Sequence, residues 1–309
     1  MGGKPPVRAA LFNDSAKNNR TYYGGDHVKN IFSTCGICVC AHLAQTRNTQ
    51  KTCVEKRDTM NQFMVISNME LRLYVRNFFS FFFTLVFPLL MLLLFGGIYG
   101  NTPIYEGADS KMMDICVPAY SVMVTGVTGL MSLPLTLSDY KEKKIYKRFD
   151  ATPVGKINIM LAQVFVNFIM TLIGISILLA AGKLLYNIQI NGTFLSVCIS
   201  LLFSIAAMFS MGFLFTAIGQ DVRSTNLLCY LFYFIMLFLS GATIPDMLFP
   251  ETMKKIADIL PMTHAVDLMQ GIFAGDALGM HSKELLILGM TTAICTATGA
   301  VLYSKKDWT

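Results

Sequence analysis

The sequence predicts an all-α integral membrane protein. Its expected parts are an amino-terminal interfacial helix, six transmembrane helices, a short cytoplasmic helix after the second span and an extracellular re-entrant helical hairpin before the last. Three observations carry this. Charged residues make up 14% of 309 while apolar residues reach 54%, against about 25% charged in soluble domains. Six stretches free of Asp, Glu, Lys, Arg and His follow residue 77, each near or above the roughly 20 residues that cross a hydrocarbon core. The basic residues stand at the edges of those stretches rather than on one soluble face, so the net charge of +6 does not imply a nucleic-acid partner.

Residues 1–59 differ from the rest, being polar and rich in Asn and Thr, with one short apolar run at 31–44. They are expected to be a disordered or non-native extension, with Met60 or Met64 as the natural start. Cys35, Cys38, Cys40 and His42 have metal-ligand chemistry, but a single CxxC without a second ligand pair at finger-like spacing reads as incidental. No metal is expected. Cys116, Cys198, Cys229 and Cys295 read as small buried hydrophobes.

From Asn61 to Arg76, Phe63, Ile66, Met69 and Leu73 recur at helical spacing with Glu70, Arg72 and Arg76 on other faces, the pattern of a helix lying along the inner leaflet. The expected spans of the 60–309 domain are 78–99, 115–138, 157–182, 193–218, 224–245 and 285–304. With the amino terminus inside, eleven Lys or Arg from residue 61 onward fall to the inner segments and five to the outer ones. That excess puts both termini in the cytoplasm. The last outer segment, 246–284, is too long for a plain turn. Pro250 suits the start of one short helix that Pro261 stops, and Ala265, Leu268, Met269, Ile272 and Phe273 share a face of a second that ends at Gly275.

No ionisable side chain lies inside the six stretches, whereas ion-coupled carriers keep such groups at membrane depth. There is also no GxxxxGK[ST] phosphate cradle. Uphill movement would need energy from another polypeptide. The segment DYKEKKIYKRFDATPVGK, Asp139 to Lys156, suits the reception of one. Asp139 and Glu142 have capping-box spacing, Pro153 ends the run, and Glu142, Ile145, Tyr146 and Phe149 fall at i, i+3, i+4 and i+7 beside Lys143, Lys144, Lys147 and Arg148. Such a helix can plug a groove on a soluble protein or lie on anionic headgroups, and the residues alone do not choose between them.

YKEKKIYKRFDATPVGK after a second span resembles the cytoplasmic turn of ABC-2-type transporter permeases. LSGATIPDMLFPETMKKIADILPMTHAVDLMQGIF resembles the same family's fifth span and outer helical hairpin. The resemblance covers residues 62–309 and is nearest to bacterial drug-exporter and self-resistance permeases. It implies a multi-pass subunit of the plasma membrane, paired with a second, identical or related permease and served by P-loop ATPase subunits that hold ATP and magnesium. This chain would bind no cofactor and catalyse nothing. The resemblance makes Asp139, Glu142, Lys143, Ile145, Tyr146, Lys147 and Phe149 the coupling helix. It also makes the second and fifth spans the lining of the route, with Tyr120, Thr125, Thr128, Ser132, Tyr230, Tyr233, Phe234 and Met236 as candidates for contact. An uncharged lining favours a hydrophobic or amphipathic small molecule or peptide.

Two other classes compete. An ion-driven carrier or channel lacks its intramembrane charge, and a membrane enzyme lacks a clustered catalytic set. His264 and Asp267, one helical turn apart, come nearest to one, and a structural or capping role suits them better.

Overall fold

Hydrocarbon offers backbone N–H and C=O groups no water to bond, so an apolar stretch long enough to cross it must satisfy them within a helix. The structure, a computed structural model, describes residues 63–99, 102, 111–146, 155–219, 221–243 and 249–305. Among them α1 covers 63–76, α2 Phe78–Tyr99, α3 Met112–Glu142, α4 Gly155–Tyr186, α5 Phe194–Ile218 and α6 Val222–Leu239. The short α7, Glu251–Ala257, and α8, Pro261–Ala274, precede α9, Ser282–Lys305. Six of these, α2 to α6 and α9, are long and apolar enough to span a membrane, as the sequence leads one to expect. The expected extension at 1–59, with its cysteines, lies outside the described residues.

Helix ends differ from the apolar stretches for local reasons. α3 does not break at Asp139: the expected capping box there is absent, and the helix runs on to Glu142. The chain then turns at Lys144, whose φ of 53° is left-handed. α6 stops at Leu239 rather than near Pro245, where Gly241 takes a φ of 77° that residues with a Cβ adopt poorly. α8 starts with Pro261 at its first turn and ends on Gly275 at φ 108°. There Asp276 N–H bonds to Gly271 O and Gly275 N–H to Ile272 O, the paired closure of a glycine-capped helix.

α3 is the centre, touching α2, α4, α5, α6 and α8. It meets α5 backbone to backbone. A Cβ on Gly129 would stand 2.7 Å from the Met208 carbonyl carbon, and one on Gly212 would collide with the Gly129 carbonyl oxygen; only glycine permits this crossing. α5 and α9 pack side by side. Gly289 faces Phe203 and Gly299 faces Phe213 at the same sequence offset, so these two helices run parallel.

α2 and α3 each contain a π turn, Phe82–Val86 and Val127–Ser132. Each turn lies just ahead of a proline, Pro88 and Pro134. A proline lacks the N–H that would bond four residues back and its ring crowds that carbonyl, which a widened turn relieves. Pairing of the Thr84 carbonyl region with Gly174 of α4, where an added Cβ would approach to 3.3 Å, shows how closely the next helix fits against that widening.

Candidate functional site

The charged end of α3 is tied to three neighbours. Lys141 Nζ donates to Gly219 O at 3.2 Å, and Glu142 Oε2 accepts from Val222 N–H at 3.1 Å. Both bonds grip the turn between α5 and α6. Glu142 thereby satisfies one of the N–H groups that a helix start leaves open and sets a negative charge at that positive end. Asp221 caps the same end by accepting from Ser224 N–H at 3.3 Å, and its exposed carboxyl is held below its ordinary value chiefly by the Ser224 hydroxyl. The third tie is to α1, where Tyr140 donates its hydroxyl to Glu70 at 2.7 Å.

The segment expected to be presented to a partner is thus divided. Asp139 and Lys143 form an exposed ion pair at 2.8 Å, while Glu142 is already engaged within the chain. Tyr146 is 5% exposed and packs among Leu133, Leu137, Tyr140, Ile159 and Phe209, with its ring 6.1 Å from that of Tyr140. Ile145 lies partly buried against the same group. Tyr146 therefore anchors the segment inward, contrary to the reading that set it on an outer face. Lys147 and Phe149 lie outside the described residues.

α1 turns its polar side to the protein. Ser67, Glu70 and Tyr74 are buried, while Met64, Met69, Leu73 and Val75 are exposed. For a helix in contact with lipid this is the stable arrangement, because the apolar side meets acyl chains and the polar side finds bonds inside. Tyr74 makes such a bond with Thr84 Oγ1 of α2 at 2.7 Å. Burial raises the Glu70 carboxyl above its ordinary value, and the Tyr140 bond works against that rise. Sequence periodicity located α1 but set Glu70 apart from its buried side.

The expected route residues come together, but in a sealed core. Tyr120, Thr125, Thr128, Ser132, Tyr233 and Met236 are all buried, and only Tyr230 and Phe234 are half-buried. Thr125 and Thr128 bond to carbonyls of their own helix, and Thr128 meets Thr171 of α4 at 2.7 Å. Tyr233 fits over Gly126. Of the two spans expected to face a second subunit, α3 is enclosed within its own chain. α6 alone offers an open face, with Leu227, Leu231, Ile235 and Phe238 exposed. The aromatic wall of α6 extends onto α2, a neighbour the sequence did not suggest: Phe79 lies 5.7 Å from Tyr230 and Phe83 lies 6.5 Å from Phe234.

At the opposite end of α3 a cavity of about 410 Å³ opens between Ile115, Ser240, Thr243, Lys254, Asp258 and Gln270. Its polar rim is held from within, since Gln270 donates to Ile115 O at 3.3 Å. His264, on α8, bonds through Nε2 to Asp258 O at 2.9 Å, which closes the end of α7. That contact gives His264 the structural role its sequence setting favours. Among the described residues no cluster of three or more His, Cys, Asp or Glu could hold a metal ion.

A family model described as ABC-2 type transporter matches residues 61–274. No curated protein matches the chain.

Proposed function

The chain belongs to the ABC-2 type transporter family, and from that premise we propose that it is the membrane-spanning subunit of an ATP-driven exporter. It moves a hydrophobic or amphipathic drug, peptide or lipid-like molecule out of the cytoplasm. ATP and magnesium are held by a separate P-loop ATPase subunit, and a second permease, identical or related, completes the pore. The complex lies in the plasma membrane of a bacterial cell with both termini in the cytoplasm.

The observation that carries this reading is the grip of Lys141 and Glu142 on the turn between α5 and α6. A force applied by a motor at residues 139–150 reaches α1, α5 and α6 through bonded contacts and reaches the core through α3 itself. The aromatic face of α6 over Gly126 is the joint that has to part for cargo to meet the α3 hydroxyls. The cavity beside Lys254 and Gln270 receives it on the other side.

Purification of the native complex should bring down a P-loop ATPase in fixed proportion, and its absence among the stoichiometric partners overturns the proposal. Lys141→Ala with Glu142→Ala should leave the spans folded but release ATPase activity from transport. A cysteine placed at Lys254 should react with an impermeant reagent from the outside only.

A further inference from the structure

Beneath α1 lies a second cavity, of about 350 Å³, bounded by α1, α2, α3 and α4. Glu70, Ser132, Gln163 and Asn167 line it beside Leu73 and Val166. Gln163 and Ser132 are 1% exposed and Asn167 3%. Yet Gln163 Oε1 and Asn167 Oδ1 have no hydrogen-bond partner. Buried polar groups are rarely left so. The Asn167 amide nitrogen is already committed to Gln163 O at 2.9 Å, which leaves its oxygen purely an acceptor.

The charge is equally one-sided. None of the lining residues is Lys, Arg or His. Asp139, at the rim, has its cation in Lys143, but Glu70 has only neutral groups, the Tyr140 hydroxyl and the Gln163 amide. A buried carboxylate without a cation keeps its proton or takes a positive ligand. With the Gln163 amide nitrogen serving Glu70, the open acceptors around it, Gln163 Oε1 and Asn167 Oδ1, call for a ligand with N–H donors. The apolar wall of Leu73 and Val166 calls for a hydrocarbon stem, and Leu73 is exposed, so the cavity reaches the outer surface of α1.

We propose that this cavity is a binding site for the primary ammonium group of an amphiphile, held by Glu70, Gln163 and Asn167 with its alkyl part along Leu73 and Val166. The ligand's N–H groups satisfy the open acceptors, and its charge offsets that of the Glu70 carboxylate. Both an aminated lipid headgroup and a free alkylamine have this chemistry. The site borders α3 at Ser132 and Tyr140, but its existence does not rest on the exporter reading.

The test uses the purified full chain in a neutral maltoside detergent. Dodecylamine should raise the thermal midpoint in a saturable manner, dodecanol should not, and dodecyltrimethylammonium, which has no N–H, should bind more weakly. Glu70→Gln and Gln163→Leu should each weaken dodecylamine by about tenfold or more, as expected for loss of a bond to a charged group; the second variant keeps the test open if the first does not fold. Native mass spectrometry distinguishes the sources. Phosphatidylethanolamine retained by the wild type and lost from Gln163→Leu assigns a headgroup, whereas stabilisation by dodecylamine without retained lipid assigns a free amine. Equal shifts from dodecylamine and dodecanol mean binding through the alkyl chain alone, an effect unaltered in both variants means binding elsewhere, and either overturns the proposal.

Discussion

α2 and α3 are adjacent, both cross as helices and both carry a π turn before a proline, yet their surroundings are opposite. Of the apolar stretch of α2, 22% is buried, against 94% for α3. Ser80, Thr84, Pro88, Leu92 and Gly96 of α2 face inward, while Phe78, Leu90, Leu93, Leu94 and Ile98 face out. α3, with Ser121, Thr125, Gly126, Thr128, Gly129 and Ser132, is enclosed on all sides. Acyl chains are as apolar as leucine, so apolarity alone does not draw a side chain inward here; small size and hydrogen bonding add the preference that lets helices close on one another.

Four measurements break or sharpen that contrast. The largest effect belongs to the crossing of α3 and α5. Gly212→Leu should yield no folded chain, while Gly97→Leu on α2, where an added Cβ meets nothing within 4 Å, should purify like the wild type. Tyr120→Ala opens a void in the α3 core and should lower stability by about 3–5 kcal/mol, whereas Leu93→Ala on the lipid side of α2 should cost far less. Unfolding of the purified variants measures both. Thr171→Val removes the bond to Thr128 and should cost only about 0.6 kcal/mol, the mean for such bonds in membranes; a cost above about 2 kcal/mol would make hydrogen bonding rather than size the main determinant.

The smallest effect is a pH dependence. The folded state binds the Glu70 proton more tightly than the unfolded chain does, so its contribution is fully present below the ordinary value of 4.5. It is lost as pH rises through the higher folded value. The thermal midpoint of the wild type should decline over that window and that of Glu70→Gln should not. Parallel profiles would mean that another group is responsible.

The sequence made some of this legible because the signals were local. Gly275 ends α8 as its residue type suggests, and the charge-free stretches mark all six spans, although Pro261, read as the stop of the preceding helix, opens α8 instead. The parts that stayed hidden depend on contacts between helices. An amphipathic reading of Ile145, Tyr146 and Glu142 puts one face outward, but Tyr146 finds a pocket among Leu137, Ile159 and Phe209, and Glu142 finds the start of α6. Glu70 was hidden for the complementary reason. A carboxylate on an interfacial helix reads as facing water until Tyr140 and Gln163 are known to stand behind it. Nor could composition rank α3 above α6 for enclosure, since that follows from Gly129 meeting Gly212.

The π turn at Val127–Ser132 has one more effect, on phase. It holds one residue more than an α turn, so a helical wheel drawn from Met112 assigns every position after Ser132 an angle wrong by about 100°, one residue's share of the circle. The second half of α3 is in effect a differently oriented rod fused to the first. It is this added rotation that aims Tyr140 at Glu70 and Glu142 at Val222, so the span has two azimuths, one for the bilayer core and one for the charged end.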